Sequence, residues 1–166
     1  MDLEERVAEL ERRLGALEKE RAEAPSIGEG PLWALEGLKE QLAGIGAGDG
    51  GVMFTGAVRL PTHERYEWQY GALTEELLEG DWSDAAESFA ALGHPVRLRL
   101  LREILAGRRT VAELTEPVGL GTTGKVYHHL RQLTSTGWLH IESRGRYEVP
   151  AARVVPLLVV LTAACP

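Results

Sequence analysis

Cysteine is almost missing: the chain of 166 residues holds one, Cys165. A lone thiol makes no internal disulfide and gives a metal at most one thiolate, so disulfide scaffolds and zinc fingers are excluded. Long apolar runs are missing too. The longest, Val154 to Ala164, is 11 residues and is interrupted by Pro156, whereas a bilayer span needs roughly 20. The opening MDLEERVAEL is acidic and helical in pattern, without the basic start and continuous apolar stretch of a secretory signal. The expected location is therefore the cytoplasm, with no membrane association. Catalytic signatures are lacking as well: there is no G-x-S-x-G elbow, no P-loop and no H-E-x-x-H. Carboxylates gather at Glu64, Glu67, Glu75, Glu76 and Glu79, but such a run is usually a solvated acidic face. The expectation is a protein that is not an enzyme and has no cofactor and no metal.

Basic charge is also in deficit, with 18 Lys and Arg against 25 Asp and Glu and a net charge of -7. That total conceals a division. Residues 1–30 carry -4, residues 31–60 carry -1 and residues 61–92 carry -7, while residues 93–150 carry +4 and Arg153 adds one more positive charge. The C-terminal half thus has the sign expected for contact with phosphates, although a solvated basic face is an equal alternative on charge alone.

The N-terminal segment has the pattern of a coiled coil. Leu3, Val7, Leu10, Leu14 and Leu17 follow one another at spacings of 4, 3, 4 and 3, which fills an a/d seam. Arg6 and Arg13 then fall at g, and Glu11 and Glu18 at the following e positions, pairing opposite signs across a parallel two-stranded interface. A second copy is the favoured partner over a fold-back onto the chain's own domain. Fewer than three heptads are marginal by themselves, so dimerisation needs reinforcement elsewhere.

Pro and Gly between Ala24 and Pro31 end this helix, and Leu32, Leu35, Leu38 and Leu42 mark a short amphipathic one. Gly46, Gly48 and Gly51 form a formal G-x-G-x-x-G. A dinucleotide site needs a strand before these glycines and a helix after them, and here the order is reversed, so they read as a linker. From Val52 to Tyr70 the period becomes two: Val52, Phe54, Val58 and Leu60 share one face, and Tyr66, Trp68 and Tyr70 share another. With Leu60-Pro61-Thr62-His63 as the turn, this is a β-hairpin. Two strands alone are marginal in water. The aromatic face must pack on helices, on a dimer mate or around a ligand, which leaves the N-terminal module open to a protein partner or a small effector.

Residues 82–164 are the most informative. Ser83 is a candidate N-cap for a helix over 84–92 with Phe89 and Leu92 as its apolar positions. Pro95 starts the next helix, with Leu98, Leu101 and Leu105 at helical spacing before Gly107 ends it. Thr110 caps a short helix over 111–116 with Leu114 inward. A further helix over 122–136 buries Val126, Leu130 and Leu133. Two short helices joined by a turn at Gly119 make a helix-turn-helix. Alternation over 138–141 and 146–149, around Ser143-Arg144-Gly145, makes a second hairpin.

This part of the chain resembles the ArsR-type winged helix-turn-helix transcriptional regulators. The resemblance is carried by ALGHPVRLRLLREIL (91–105), RTVAEL (109–114), GLGTTGKVYHHLRQLTSTGWL (119–139) and RGRYEV (144–149), about half the chain. It implies a symmetric dimer with recognition helices in successive major grooves and wings along the flanking backbone. It also implies a final helix in the dimer interface. Residues 151–164 look like that helix, with Val155 and Leu158 as dimer contacts.

The residues themselves fit that reading. With Val126, Leu130 and Leu133 inward, Thr122, Thr123, Lys125, Tyr127 and His128 point outward at the start of the recognition helix and can reach base edges or phosphates. Arg131 would meet the backbone, and Arg144 and Arg146 on the wing would meet phosphate or the minor groove. His129, next to Leu130, reads as a hydrogen-bonded scaffold residue. The metal-binding sets of the family are not matched, since 111–116 has no Cys and 151–164 has no His or acid. Pro117 is expected to shorten the helix before the turn.

The expected architecture is α+β, mainly α. A coiled-coil dimerisation helix occupies 1–23, a linker with a short helix and an aromatic, acidic hairpin occupies 24–81, and a winged helix-turn-helix with a C-terminal dimerisation helix occupies 82–166. The expected function is a homodimeric, sequence-specific regulator on a palindromic operator in double-stranded DNA. The alternative is an adaptor that binds proteins rather than DNA and uses the winged helix and coiled coil to dimerise.

Overall fold

The structure is a computed structural model that describes residues 3–23, 32–118, 123–142 and 145–165. The chain forms two compact units, residues 1–41 and 42–166.

In the first unit, α1 (Leu3–Glu23) is followed by α2 (Trp33–Gly44), whose last turn enters the second unit. Glu9 holds Arg12 at 2.5 Å and Arg13 at 2.9 Å, the i,i+3 and i,i+4 pairs that support an exposed helix. Val7, Leu10 and Leu14 are all exposed. The side chains of Leu3 and Leu17 lie outside the described residues.

The second unit begins with a hairpin of β1 (Gly51–Arg59) and β2 (Arg65–Leu73) and continues through α3 (Thr74–Glu79), α4 (Ser83–Leu92) and α5 (Pro95–Leu105). Then come α6 (Val111–Val118), α7 (Thr123–Ser135), a short hairpin of β3 (His140–Glu142) and β4 (Arg146–Glu148), and α8 (Ala151–Ala164). The two hairpins are separate two-stranded sheets. This is an α+β, mainly helical, winged helix-turn-helix fold.

Local chemistry sets most of the helix ends. Pro95 starts α5, and the Val96 N–H donates to His94 Nδ1 at 3.2 Å. Gly107 turns the chain beyond α5 with φ 107°, a conformation that favours glycine. Thr110 and Glu113 form a capping box: Glu113 N–H donates to Thr110 Oγ1 at 3.3 Å, and Thr110 N–H donates to Glu113 Oε2 at 2.9 Å. Two expectations are corrected. Ser83 is the first residue of α4 and not its cap; its own N–H donates to Asp81 Oδ1 at 2.9 Å. Pro117 lies inside α6, which runs on to Val118. In the last turn of so short a helix, the carbonyl that its ring removes from pairing is Glu113's, and little helix remains to disrupt.

One core joins these elements. Leu100, Leu101 and Ile104 of α5 meet Leu114 of α6 and Val126, Leu130 and Leu133 of α7. Trp138, Leu139, Tyr147 and Val149 bring in the wing, and Val154 and Leu157 bring in α8. The Trp138 indole N–H donates to Ser88 O at 3.2 Å, and Arg153 lies 4.9 Å from its ring centroid. Phe89, expected on the apolar side of α4, is instead exposed, while Leu92 is buried.

The first hairpin belongs to this core. Across its strands Val58 faces Tyr66, Gly56 faces Trp68 and Phe54 faces Tyr70. Leu60 is buried in the core, and Val58 and Tyr66 pack against it. The far end is open, with Val52 and Tyr70 exposed. At Gly56 a Cβ would sit 2.6 Å from Val155 Cγ1, so α8 rests directly on the strand backbone. Val155 is 1% exposed. It faces the hairpin of its own chain, and does not lie on the outer side of α8 with the half-buried Leu158.

The contact between α5 and α7 contains charge. Arg97 donates to Gln132 Oε1 at 2.5 Å and to Ala90 O at 2.7 Å, and also to Ala91 O. Beside it the His94 and His129 rings lie 4.7 Å apart. At His129, read from the sequence as a hydrogen-bonded scaffold residue, Nδ1 is buried with no hydrogen-bond partner among the described residues. Burial, followed by the charges of His94, Arg97 and His128, holds the His129 pKa below its ordinary value.

This packing generates two tests. Gly56→Ala should lower stability by about 1–3 kcal/mol through overpacking, read as a fall in the urea midpoint, and Val155→Ala should recover most of it in the double variant. Additive losses would show that the contact is not the cause. For His129, the unfolded chain takes up the proton more readily than the folded one. Stability present above about pH 6.5 should therefore be lost as the pH falls from there toward the lower folded-state pKa. Urea unfolding between pH 7.5 and 5 should show the loss, and His129→Phe should flatten it; an unchanged slope would assign the proton to another group.

Candidate nucleic-acid interface

The recognition edge follows from the buried stripe of α7. Val126, Leu130 and Leu133 are fully buried, and at 3.6 residues per turn the positions on the opposite face of the helix turn away from the core. Thr123, Lys125, Tyr127, His128 and Arg131 are all exposed. These groups offer a hydroxyl, an ammonium, a phenol, an imidazole and a guanidinium, a set suited to base edges and phosphates. Thr122 and Arg144, expected at the helix start and the wing tip, lie outside the described residues. Arg146 stands on β4 and is half-buried.

Between α7 and the wing lies an open groove of about 440 Å³. Tyr127, His128 and Arg131 line one wall, and Ile141 and Tyr147 line the other. Ile141 is exposed and Tyr147 buried. Gly124 leaves open space where a Cβ would stand, so the backbone at the start of α7 is accessible. Sequence patterning missed the wing wall. Alternation through Arg146, Tyr147 and Glu148 gives Tyr147 the opposite side of the strand from its neighbours, without showing that this side meets α7.

The electrostatics distinguish the arginines. Arg131 sits near enough to Tyr147 for its charge to act on the phenol; burial dominates and holds the Tyr147 pKa above its ordinary value. Arg146 lies near enough to Glu113 for its charge to act on the carboxylate. Hydrogen bonds from the Thr110 backbone and side chain and from the Arg109 backbone lower the Glu113 pKa, and the charge of Arg146 contributes a further, smaller lowering. Lys125 and Arg131 are the exposed cations of the helix edge, whereas Arg146 has an acid nearby.

The wing is held in place by Arg109. Its Nη1 donates to Glu148 Oε1 at 3.0 Å, its Nη2 donates to Glu64 Oε2 at 2.6 Å, and its carbonyl accepts from Tyr147 N–H at 2.7 Å. Thr62 Oγ1 also donates to Glu64 at 2.6 Å, and these two hydrogen bonds hold the Glu64 pKa low. Burial alone would lower the Arg109 pKa, but the bond to Glu64 and the charges of Glu148 and Glu64 outweigh it and hold it above its ordinary value.

Among the described residues no group of three or more His, Cys, Asp or Glu side chains is placed to hold a metal, and no helix is long and apolar enough to cross a membrane.

Comparison with known proteins covers the same region. Residues 92–140 match the family described as a helix-turn-helix domain. A probable mercury resistance operon repressor of Streptomyces lividans is 40% identical over 78 residues, which are 45% of this chain and 62% of that protein. The chain thus spans less than two thirds of that relative's length.

Proposed function

We propose that this chain is a sequence-specific, DNA-binding transcriptional regulator of the ArsR type that acts as a homodimer on a palindromic operator in the cytoplasm. The observation that carries the proposal is the division of α7, with one stripe sealed in the core and Lys125, Tyr127, His128 and Arg131 exposed beside the wing. The helix-turn-helix match and the similarity to a named repressor support it. In this reading α7 enters the major groove, Tyr127 and His128 reach base edges, Lys125 and Arg131 meet phosphates, and Arg146 and the wing follow the backbone. Thr122, Thr123 and Arg144 would extend the same surface.

A twofold dimer places a second α7 one helical turn along the duplex, which is the reason to expect a palindrome. The exposed Val7, Leu10 and Leu14 of α1, and Leu158 on the outer side of α8, supply apolar surface for it. The mercury response named for the relative does not extend to this chain in the proposal. Soft metals take thiolates, and Cys165 is the single thiol.

Duplex binding measured against salt is the test. Each phosphate neutralised steepens the fall of log K with log salt by about 0.9. Lys125→Ala should weaken binding across sequences and make the slope shallower by about 2 for a dimer, because each half-site then neutralises one phosphate fewer. Its sedimentation should remain that of the parent. Negligible affinity for selected duplexes at every salt concentration would overturn the proposal and leave the protein-binding adaptor.

A further inference from the structure

The turn of the first hairpin reaches the wing both through charge and through packing. Glu64 Oε2 accepts from Thr62 Oγ1 and from Arg109 Nη2, both at 2.6 Å, and Arg109 Nη1 donates to Glu148 Oε1 at 3.0 Å. The second oxygen of Glu148 lies 3.6 Å from His140 Nε2, across the paired wing strands, so this line of groups ends on both β3 and β4. A Cβ at Gly107 would stand 3.1 Å from the Thr62 methyl, so the same turn lies against the backbone two residues before Arg109. Between the hairpin and the wing, Leu60, Tyr66, Arg109 and Val149 surround a cavity of only about 10 Å³, close to the least that holds one water. A joint packed that closely transmits a displacement rather than absorbing it. Beyond the joint, Tyr147 N–H donates to Arg109 O at 2.7 Å, and Tyr147 belongs to the wing wall of the α7 groove.

We propose that Glu64 is a positioning residue for DNA binding, an acid outside the helix-turn-helix that raises duplex affinity by holding Arg109 and, through it, β4 in place beside α7. This rests on the DNA-binding reading above and adds to it a residue and the direction of its effect. Charge alone gives the opposite sign. Removing an acid from a protein that binds a polyanion strengthens the long-range attraction, whereas removing Glu64 frees one arm of the guanidinium that fixes the wing. The sign of the change therefore separates the two effects.

The test measures duplex affinity of full-length chains across salt concentrations, with amide hydrogen exchange alongside. Glu64→Gln should weaken binding about fivefold and leave the slope of log K against log salt unchanged, because no phosphate contact is lost. Glu67→Gln removes the same charge from an exposed site on β2 and should leave affinity equal or higher. Arg109→Lys keeps the charge but not the two-armed fork; it should weaken binding at least as much, and adding Glu64→Gln to it should cost little more. In Glu64→Gln the Tyr147 amide should exchange several-fold faster through local opening of the wing, while the Leu130 amide of α7 keeps the parent's rate. A parent with no duplex affinity overturns the DNA-binding reading and this role with it. A parent that binds, with Glu64→Gln and Glu67→Gln equal in affinity, overturns the positioning role alone. So does a Leu130 amide that speeds up with Tyr147, which assigns the loss to general destabilisation, and so does a shallower salt slope, which assigns it to a lost phosphate contact.

Discussion

The placement of the wing depends on one half-buried guanidinium. Arg109, with its side chain 14% exposed, joins the turn of the first hairpin through Glu64 to the wing through Glu148. Its backbone contributes equally, since the carbonyl receives Tyr147 N–H and the N–H donates to Glu113 at 3.0 Å, the acid that caps α6. Three elements far apart in the chain are thereby set around one residue. A half-buried ion pair is a poor source of net stability, because solvent screening and partial desolvation take back much of the Coulombic gain. Losing one partner costs more than the pair contributes, because it leaves a half-buried charge with less compensation. The arrangement is therefore better understood as specifying where the wing lies than as strengthening the fold.

That specification matters because the candidate interface has two walls made by different means. The α7 wall is fixed by the apolar stripe Val126, Leu130 and Leu133, which leaves the outward edge no alternative direction. The wing wall has only short strands, three residues each, and such a hairpin is marginal without support. Support comes from Tyr147 and Val149 in the core and from the Arg109 hydrogen bonds. The first hairpin then acts as a scaffold: Leu60 enters the core, Glu64 supplies one of the two carboxylates on Arg109, and Gly56 lets α8 come close enough to cover the strands.

The features legible in the sequence were those set by neighbours along the chain. Helical spacing located α5 and α7, Thr110 announced the start of α6, and alternation gave both hairpins. The features not legible were set by partners across the fold. Arg109 and Glu64 are 45 residues apart, and nothing local to either indicates the other. Val155 and Leu158 look alike in an apolar helix, yet one is buried against Gly56 and the other faces a groove. Ser83 had the right chemistry for a cap, but Asp81 reached its N–H first. His129 is polar enough to call for hydrogen bonds, yet its buried Nδ1 has none among the described residues, and the ring lies 4.7 Å from that of His94.

In the proposed dimer these parts combine in a way that neither unit achieves alone. The α1 seam is shorter than three heptads and is weak as an isolated coiled coil. The apolar face that Leu158 offers on α8 is modest too, since Leu158 is already half-buried and has little area left to cover. Once one interface forms, however, the other becomes intramolecular, with an effective concentration that reaches the millimolar range when the linked sites can be engaged together. Two modest interfaces on one chain therefore make a dimer tighter than either would. Removing one costs more than its own contribution, because it also removes the local concentration that the other depended on.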